Sequence, residues 1–302
     1  MSQDNANAAV DTSCCASCGI PEVDDTKLME CNACDLVRYC SIACQRDHIP
    51  KHLRKCTKRV AELREELLFK QPASTHREDC PICMLPHHLD TKKCTMLNCC
   101  SKMICDGCCH AYLFSGAEKH RCLFCRTFLP SGDEQIAKQR LKRIELNDPV
   151  AITSEGLGLD KNGDYVKAFE CYTKAAALGD IEAHHRLAML YHWGQGVEKD
   201  KRKEMYHFKE AAVGGHPTAR HNLGCDELNN GNPEKAAKHW IIAATHGNDD
   251  SIKGLMMVFK GGAISKEVLA AALRANQAAV DAAKSPQRDA AEEHRRSKGT
   301  FW

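Results

Sequence analysis

Residues 39–56 read YCSIACQRDHIPKHLRKC. Cys40-x3-Cys44 and His52-x3-Cys56 set two ligand side chains about one helical turn apart, so each pair can grip one metal ion from one side. Upstream, Cys15-x2-Cys18 and Cys31-x2-Cys34 supply two more short pairs. Two pairs complete a tetrahedron around Zn²⁺, so the four pairs make two closed sites with no open coordination position, the structural rather than the catalytic arrangement. His48 lies four residues from both Cys44 and His52, but it exceeds the ligand count and reads as a packing or surface residue.

This stretch resembles the MYND-type zinc finger over Cys15 to Cys56, with Tyr39 before the fifth ligand and Gln45 after the sixth. The resemblance implies interleaved pairs: Cys15, Cys18, Cys40 and Cys44 on one zinc, and Cys31, Cys34, His52 and Cys56 on the other. Ile49 stands where that family often carries tryptophan. The following residues, TKRVAELREELLFK (57–70), place Val60, Leu63, Leu67 and Leu68 on one helical face and are expected to pack on the finger or form a stiff connector.

Working outward, the chain has 302 residues, 20 cysteines and a formal net charge of +2. All cysteines but Cys171 and Cys225 lie between Cys14 and Cys125. The opening residues Met1 to Asp11 lack the basic and apolar regions of a signal peptide, and no apolar run approaches the ~18 residues of a membrane span. The expectation is an intracellular protein, cytoplasmic or nuclear, with no membrane. In such a compartment dense cysteine points to metal rather than disulfides. Balanced charge, and a basic stretch from Arg46 to Arg64 without interleaved stacking aromatics, give no reason to expect a nucleic-acid partner.

A second cluster follows QPASTHRED (71–79), a segment without hydrophobic periodicity. CPIC (80–83), CCSKMICDGC (99–108) and CLFCR (122–126) resemble a RING finger. The resemblance implies Cys80, Cys83, Cys105 and Cys108 on one zinc, and Cys122 and Cys125 with two upstream ligands on another. Lys102 stands where a RING usually has histidine, and an ammonium has no lone pair for a metal. Either Cys99 and Cys100 both ligate, which is the favoured set, or Cys94, Cys109 or His110 completes the site. A catalytic zinc is not expected, because no acidic general base sits in a metallohydrolase motif. By the same resemblance, Ile82 and Arg126 occupy positions that contact a ubiquitin-conjugating enzyme, with Arg126 placed to hydrogen-bond both enzyme and ubiquitin. Packing and solvated charge are their plainer roles.

Beyond Thr127 the composition turns to alanine, leucine and glycine. Pro130 and Gly132 make a turn, and Asp133 to Leu146 carries Ala137, Leu141 and Ile144 on one face. Then a repeat appears: Ala175-Ala176, Ala211-Ala212 and Ala243-Ala244 are each followed by a glycine, Gly179, Gly215 and Gly247, and Leu187, Leu223 and Leu255 keep the same spacing. Each unit reads as two antiparallel helices that cannot bury an apolar face alone and so must stack into a solenoid. The strings starting at Ala183 and Ala219 resemble Sel1-like repeats, relatives of the tetratricopeptide repeat. Ala151 to Gly179 departs from the pattern at Glu155, and Ser251 to Leu273 reads as a terminal cap. Stacked helices of this kind imply a protein-binding surface. His184, His185, His192 and His207 read as packing or surface residues, and Trp193 and Trp240 as core.

The expected fold class is therefore small zinc-stabilised modules, MYND-like and RING-like cross-brace, followed by an all-α helical-repeat solenoid. The expected division is a MYND-type finger (15–56), a helical connector and linker (57–79), a RING-like finger (80–126), a linker with an amphipathic helix (127–147), Sel1-like repeats (148–284) and a flexible tail (285–302). About four zinc ions are expected, two in the first finger and up to two in the second, leaving Cys14, Cys94, Cys109, Cys171 and Cys225 without a metal role. Partners are proteins or peptides. Two functions stand side by side: an E3 ubiquitin ligase whose second finger recruits a conjugating enzyme, and a non-enzymatic scaffold using both fingers as docking modules.

Overall fold

The computed structural model describes residues 14–20, 22, 27–115 and 121–298. Two compact units are present, Met1–Lys70 and Gln71–Trp302.

In the first unit, β1 (Met29–Glu30) pairs antiparallel with β2 (Arg38–Tyr39), and α1 runs from Ile42 to Phe69. Ser41 starts that helix by accepting the Cys44 N–H on its hydroxyl. The connector is thus not a separate element but the continuation of the finger helix past Cys56, with Pro50 inside it. Arg59 ties the continuation back to the finger through Asp35, at 2.8 and 2.9 Å. Cys15, Leu28, Val37 and Tyr39 form a small core that would not hold the finger together unaided.

The second unit opens on a hairpin, β3 (Cys94–Leu97) and β4 (Lys102–Cys105), followed by α2 (Asp106–Phe114). Leu97 and Ile104 are the main non-cysteine residues buried there. After α3 (Asp133–Glu145) come four helix pairs: α4 (Pro149–Lys161) with α5 (Tyr165–Ala177), α6 (Ile181–Trp193) with α7 (Lys201–Val213), α8 (Pro217–Asn229) with α9 (Pro233–Ala244), and α10 (Asp249–Lys260) with α11 (Lys266–Ala282). Each pair packs on its neighbours in sequence, the nearest-neighbour stacking that defines a solenoid. Asp148, Asp164, Asp180, Asp200, His216, Asn248 and Ser265 cap the N-termini of α4 to α8, α10 and α11 with their side chains, while α9 starts on Pro233 without a side-chain cap. Trp240 is 2% exposed and lies between Gly224 and Gly254; a Cβ on Gly254 would stand 2.7 Å from the indole. Glu155, the departure in the first repeat, pairs with Arg140 of α3 at 2.7 Å, so the polar residue faces the preceding helix instead of the core.

Three expectations are corrected. Trp193 is 57% exposed rather than core, because it ends α6 beside the Gly194 turn, beyond the packed part of the helix. Residues 71–79 lie along the repeats: Gln71 Nε2 donates to Thr245 Oγ1 (2.7 Å) and the His76 N–H to the Gly215 carbonyl (3.2 Å). Gly215, at φ +82°, admits this approach, since a Cβ there would meet the Ser74 carbonyl at 2.7 Å. Finally, the segment read as a flexible tail contains α12 (Pro286–Lys298), which packs on α2. Its docking face is built from Arg288, Ala291, Glu292, His294 and Arg295, so hydrophobic periodicity did not betray it. The last part of the tail, 299–302, lies outside the described residues.

Candidate metal centres

Short cysteine turns of one design recur three times. At Cys15-x2-Cys18, Cys80-x2-Cys83 and Cys122-x2-Cys125, the residue after the second cysteine donates its N–H to the first cysteine's carbonyl: Gly19 at 2.8 Å, Met84 at 2.8 Å and Arg126 at 3.1 Å. The first cysteine's N–H returns to the carbonyl of Ile20, Leu85 or Thr127 at 2.7 to 2.9 Å. Gly19, Met84 and Arg126 all take positive φ, at 75°, 55° and 61°. The turn points two sulfurs the same way and leaves the residues between them outward.

These turns bring four groups of ligand atoms together, each within 4.8 Å: Cys15, Cys18, Cys40 and Cys44; Cys31, Cys34, His52 and Cys56; Cys80, Cys83, Cys105 and Cys108; and Cys99, Cys100, Cys122 and Cys125. Pairs interleave in both fingers, first with third and second with fourth. Sulfur separations of 3.5 Å (Cys18–Cys40), 3.6 Å (Cys40–Cys44), 3.9 Å (Cys31–Cys56), 3.8 Å (Cys83–Cys105) and 3.7 Å (Cys100–Cys122) are too long for disulfides. They match the edge of a tetrahedron whose ligands stand ~2.3 Å from its centre, about 3.8 Å. Cys34 Sγ and His52 Nε2 are 3.1 Å apart.

Charge makes the same point. Burial tends to raise Cys15, but backbone N–H groups of Cys18, Cys40 and Ser17 bring it down to about 6, while Cys40, hydrogen-bonded with the thiols of Cys18 and Cys44, is pushed up to about 12. Cys80 falls to about 3 through the Cys105 thiol, and Cys105 and Cys108 rise, the latter to about 12 chiefly by burial. In the fourth group Cys99 and Cys100 rise by burial, while for Cys125 burial is outweighed only by the sum of hydrogen bonds from the Thr127 hydroxyl and backbone and from the Cys99 and Cys122 thiols, which bring it down to about 7. In each set one thiol is lowered (Cys15, Cys31, Cys80, Cys125) and at least one neighbour is raised; a dication at the centre removes that conflict. Burial, then the charges of His48 and Lys55, keeps His52 neutral and its Nε2 free to ligate.

The residues that sequence left in competition fall elsewhere. Cys94 Sγ lies 3.4 Å from His87 Nδ1, Cys109 is buried in the finger core, and the His110 ring stands 5.2 Å from that of His294. Lys102 lies over the Phe124 ring at 5.3 Å. His48 Nδ1 meets the Tyr39 hydroxyl at 3.1 Å. Ile82 is 43% exposed and Arg126 is also exposed.

Sequence reading missed a further cluster, His76, Glu182 and His216, because it joins the supposed linker to two repeats. Glu182 Oε2 lies 3.3 Å from both His76 Nε2 and His216 Nε2 and 3.5 Å from Arg77 Nη2. The Ala219 N–H donates to His216 Nδ1 at 3.2 Å, so the His216 proton sits on Nε2 and goes to the carboxylate. A dication would have to displace that proton beside a guanidinium, and the cluster is better described as a polar knot. Burial opposes Glu182 ionisation, but His216, His76 and Arg186 hold its carboxyl well below the usual range; burial pushes His216 down to about 4.

Residues 15–56 match the family model of the MYND finger, and 152–180, 181–216 and 217–248 match that of the Sel1 repeat. The first repeat is thus included despite Glu155. The MYND match implies zinc in the first unit, and both modules support protein partners. Among solved structures, the chain is similar to a Sel1 repeat protein from Oxalobacter formigenes, at 26% identity over 51% of this chain and 65% of that one, with a TM-score of 0.42. It is also similar to c5321, a protective antigen present in uropathogenic Escherichia coli strains displaying an SLR fold, at 21% identity over 64% of this chain and 40% of that one, with a TM-score of 0.41. The chain therefore spans under two thirds of the length of either. Among the described residues, no helix is long and apolar enough to cross a membrane.

Proposed function

We propose that this chain is a zinc-dependent E3 ubiquitin ligase that holds four zinc ions in the four ligand groups. Its second finger acts as a RING that recruits a ubiquitin-conjugating enzyme, and its Sel1-like solenoid and MYND finger bind substrate. The observation that carries this reading is Arg126. The equivalent turn position in the first finger is glycine, which takes positive φ without penalty, whereas here an arginine is held at φ 61° directly after the last ligand. Its carbonyl accepts a hydrogen bond from Arg121 Nη1 at 3.2 Å, leaving the guanidinium exposed. A cation presented there suits restraint of a thioester-linked ubiquitin by hydrogen bonds, a positioning task that needs no covalent intermediate on the finger. On the matching turn, Ile82 and Met84 are 43% and 70% exposed and supply an apolar contact. Zinc contributes no chemistry here beyond holding the turns.

The test is autoubiquitination with a panel of conjugating enzymes, comparing wild type with Ile82→Ala and Arg126→Ala. Loss of ubiquitin transfer in both variants, with zinc content unchanged, supports the ligase. Silence of the wild type across a broad panel sinks it and leaves the scaffold, in which both fingers only dock.

A further inference from the structure

The C-terminal helix α12 reaches the second finger at one of its metal-binding turns. Arg288 Nη1 donates to the Pro86 carbonyl (2.7 Å) and, on its own side, to the Ala283 carbonyl (2.7 Å). Its Nη2 donates to the Leu85 carbonyl (3.2 Å) and lies 3.5 Å from Cys83 Sγ. Leu85 is the residue whose carbonyl closes the Cys80–Cys83 turn by accepting the Cys80 N–H. One guanidinium therefore grips the turn's return strand and one of its sulfurs together. The approach is close enough that a Cβ on Gly107, in the first turn of α2, would stand 2.8 Å from both Arg288 Cγ and the Arg288 backbone nitrogen. Around this contact, Lys93 pairs with Glu292 at 3.0 Å, Asp106 with Arg295, and the His294 ring stands 5.0 Å from that of Phe114.

Four thiolates around one Zn²⁺ leave a net charge of −2, and groups that hydrogen-bond ligand sulfurs orient them and offset that charge. We propose that Arg288 is a positioning residue of the second finger, supporting the Cys80, Cys83, Cys105 and Cys108 site from the far end of the chain, so that zinc retention there depends on α12. The same grip fixes the turn that presents Ile82 and Met84. The inference rests on the zinc reading of residues 80–125 but not on ligase activity.

The experiment uses the full-length, zinc-loaded protein. Zinc counts come from native mass spectrometry, and release into excess chromogenic chelator is timed for wild type, Arg288→Ala, Arg288→Lys and Glu292→Ala. One zinc should leave Arg288→Ala about 10- to 100-fold faster, the range that loss of a ligand's supporting partner costs, while the others leave at wild-type rates and far-UV circular dichroism is unchanged. Arg288→Lys, which keeps the charge but not the fork, should fall between. Glu292→Ala loosens α12 without touching a sulfur and should stay within about twofold of wild type on that mechanism. Wild-type release from both Arg288 variants overturns the proposal, as does Glu292→Ala matching Arg288→Ala, which would reduce α12 to general packing. If Arg288→Ala does not fold, the Arg288→Lys and Glu292→Ala rates decide. A wild type carrying only two zinc ions would show instead that the zinc reading of this finger fails, and the proposal with it.

Discussion

The two fingers and the solenoid solve one problem by opposite means. In the first finger the buried residues besides ligands are few, Leu28, Val37 and Tyr39, and in the second they are chiefly Leu97 and Ile104. Neither set offsets the entropy of ordering its chain, so folding there must lean on metal. In the solenoid, Leu187, Leu190, Leu223, Trp240, Leu255 and paired alanines are buried along successive helices, and stability comes from packing that needs no ion. The lesson is that one chain carries two stability currencies, and perturbations can be chosen to touch only one.

The largest effect should come from removing a single ligand. Cys34→Ser or Cys80→Ser deprives one site of a buried sulfur, and because a structural zinc is worth on the order of 10 kcal/mol, each should drop one zinc and unfold its own finger. Amide exchange would show protection lost in 15–56 or 80–125 and retained in the repeats; coupled loss everywhere would break the distinction between the regions.

The reverse probe is Trp240→Ala. Removing the indole between Gly224 and Gly254 opens a cavity in α9's packing, expected to cost about 3–5 kcal/mol. The solenoid melting temperature should fall by more than 10 °C, roughly, with zinc content unchanged. A zinc count that fell with it would show that the fingers lean on the repeats.

Acid offers a smaller lever, read at the solenoid's own transition because protonation of the cysteine ligands also loosens the fingers. His216 sits at about 4 in the fold against 6.5 unfolded. Below pH 6.5 the unfolded chain accepts a proton that the folded chain refuses, so stability is full above 6.5 and declines toward pH 4. The groups facing it act in the same direction or surround it: His185 is also held well below 6.5 by burial, and Glu182, depressed by His216 and His76, adds a loss beneath 4.5, with Arg77 and Arg186 as its cations. The solenoid melting temperature should drop by about 5 °C between pH 7 and pH 5, and His216→Asn, which retains a capping side chain, should flatten that profile. An unchanged slope in the variant would remove the knot from the account. Smallest of all, Arg140→Ala breaks a partly exposed pair with Glu155 and should cost at most about 1 kcal/mol, visible as a slight loss in the first repeat and nowhere else.

What was legible in the sequence follows from the same contrast. Ligand spacing is local, so Cys15 to Cys56 and the repeat glycines could be read directly, as could the helix limits at Pro217, Pro233 and Gly194. The set around Cys99 and Cys100 stayed open because both lie in a turn, residues 98–101, whose geometry spacing alone does not fix. Contacts between distant polar residues left no periodic trace: Gln71 on Thr245, His76 and His216 on Glu182, and Arg288 on the Cys80 turn join segments far apart in the chain. Those same contacts turn a supposed linker and tail into structure.

The most direct test is to count zinc on the intact chain by native mass spectrometry and then follow amide exchange after chelation of the same sample. Four zinc ions, with protection lost across 15–56 and 80–125 after chelation and kept from 149 to 282, is the predicted result. Two or fewer zinc ions, or repeats that unfold together with the fingers, would contradict it.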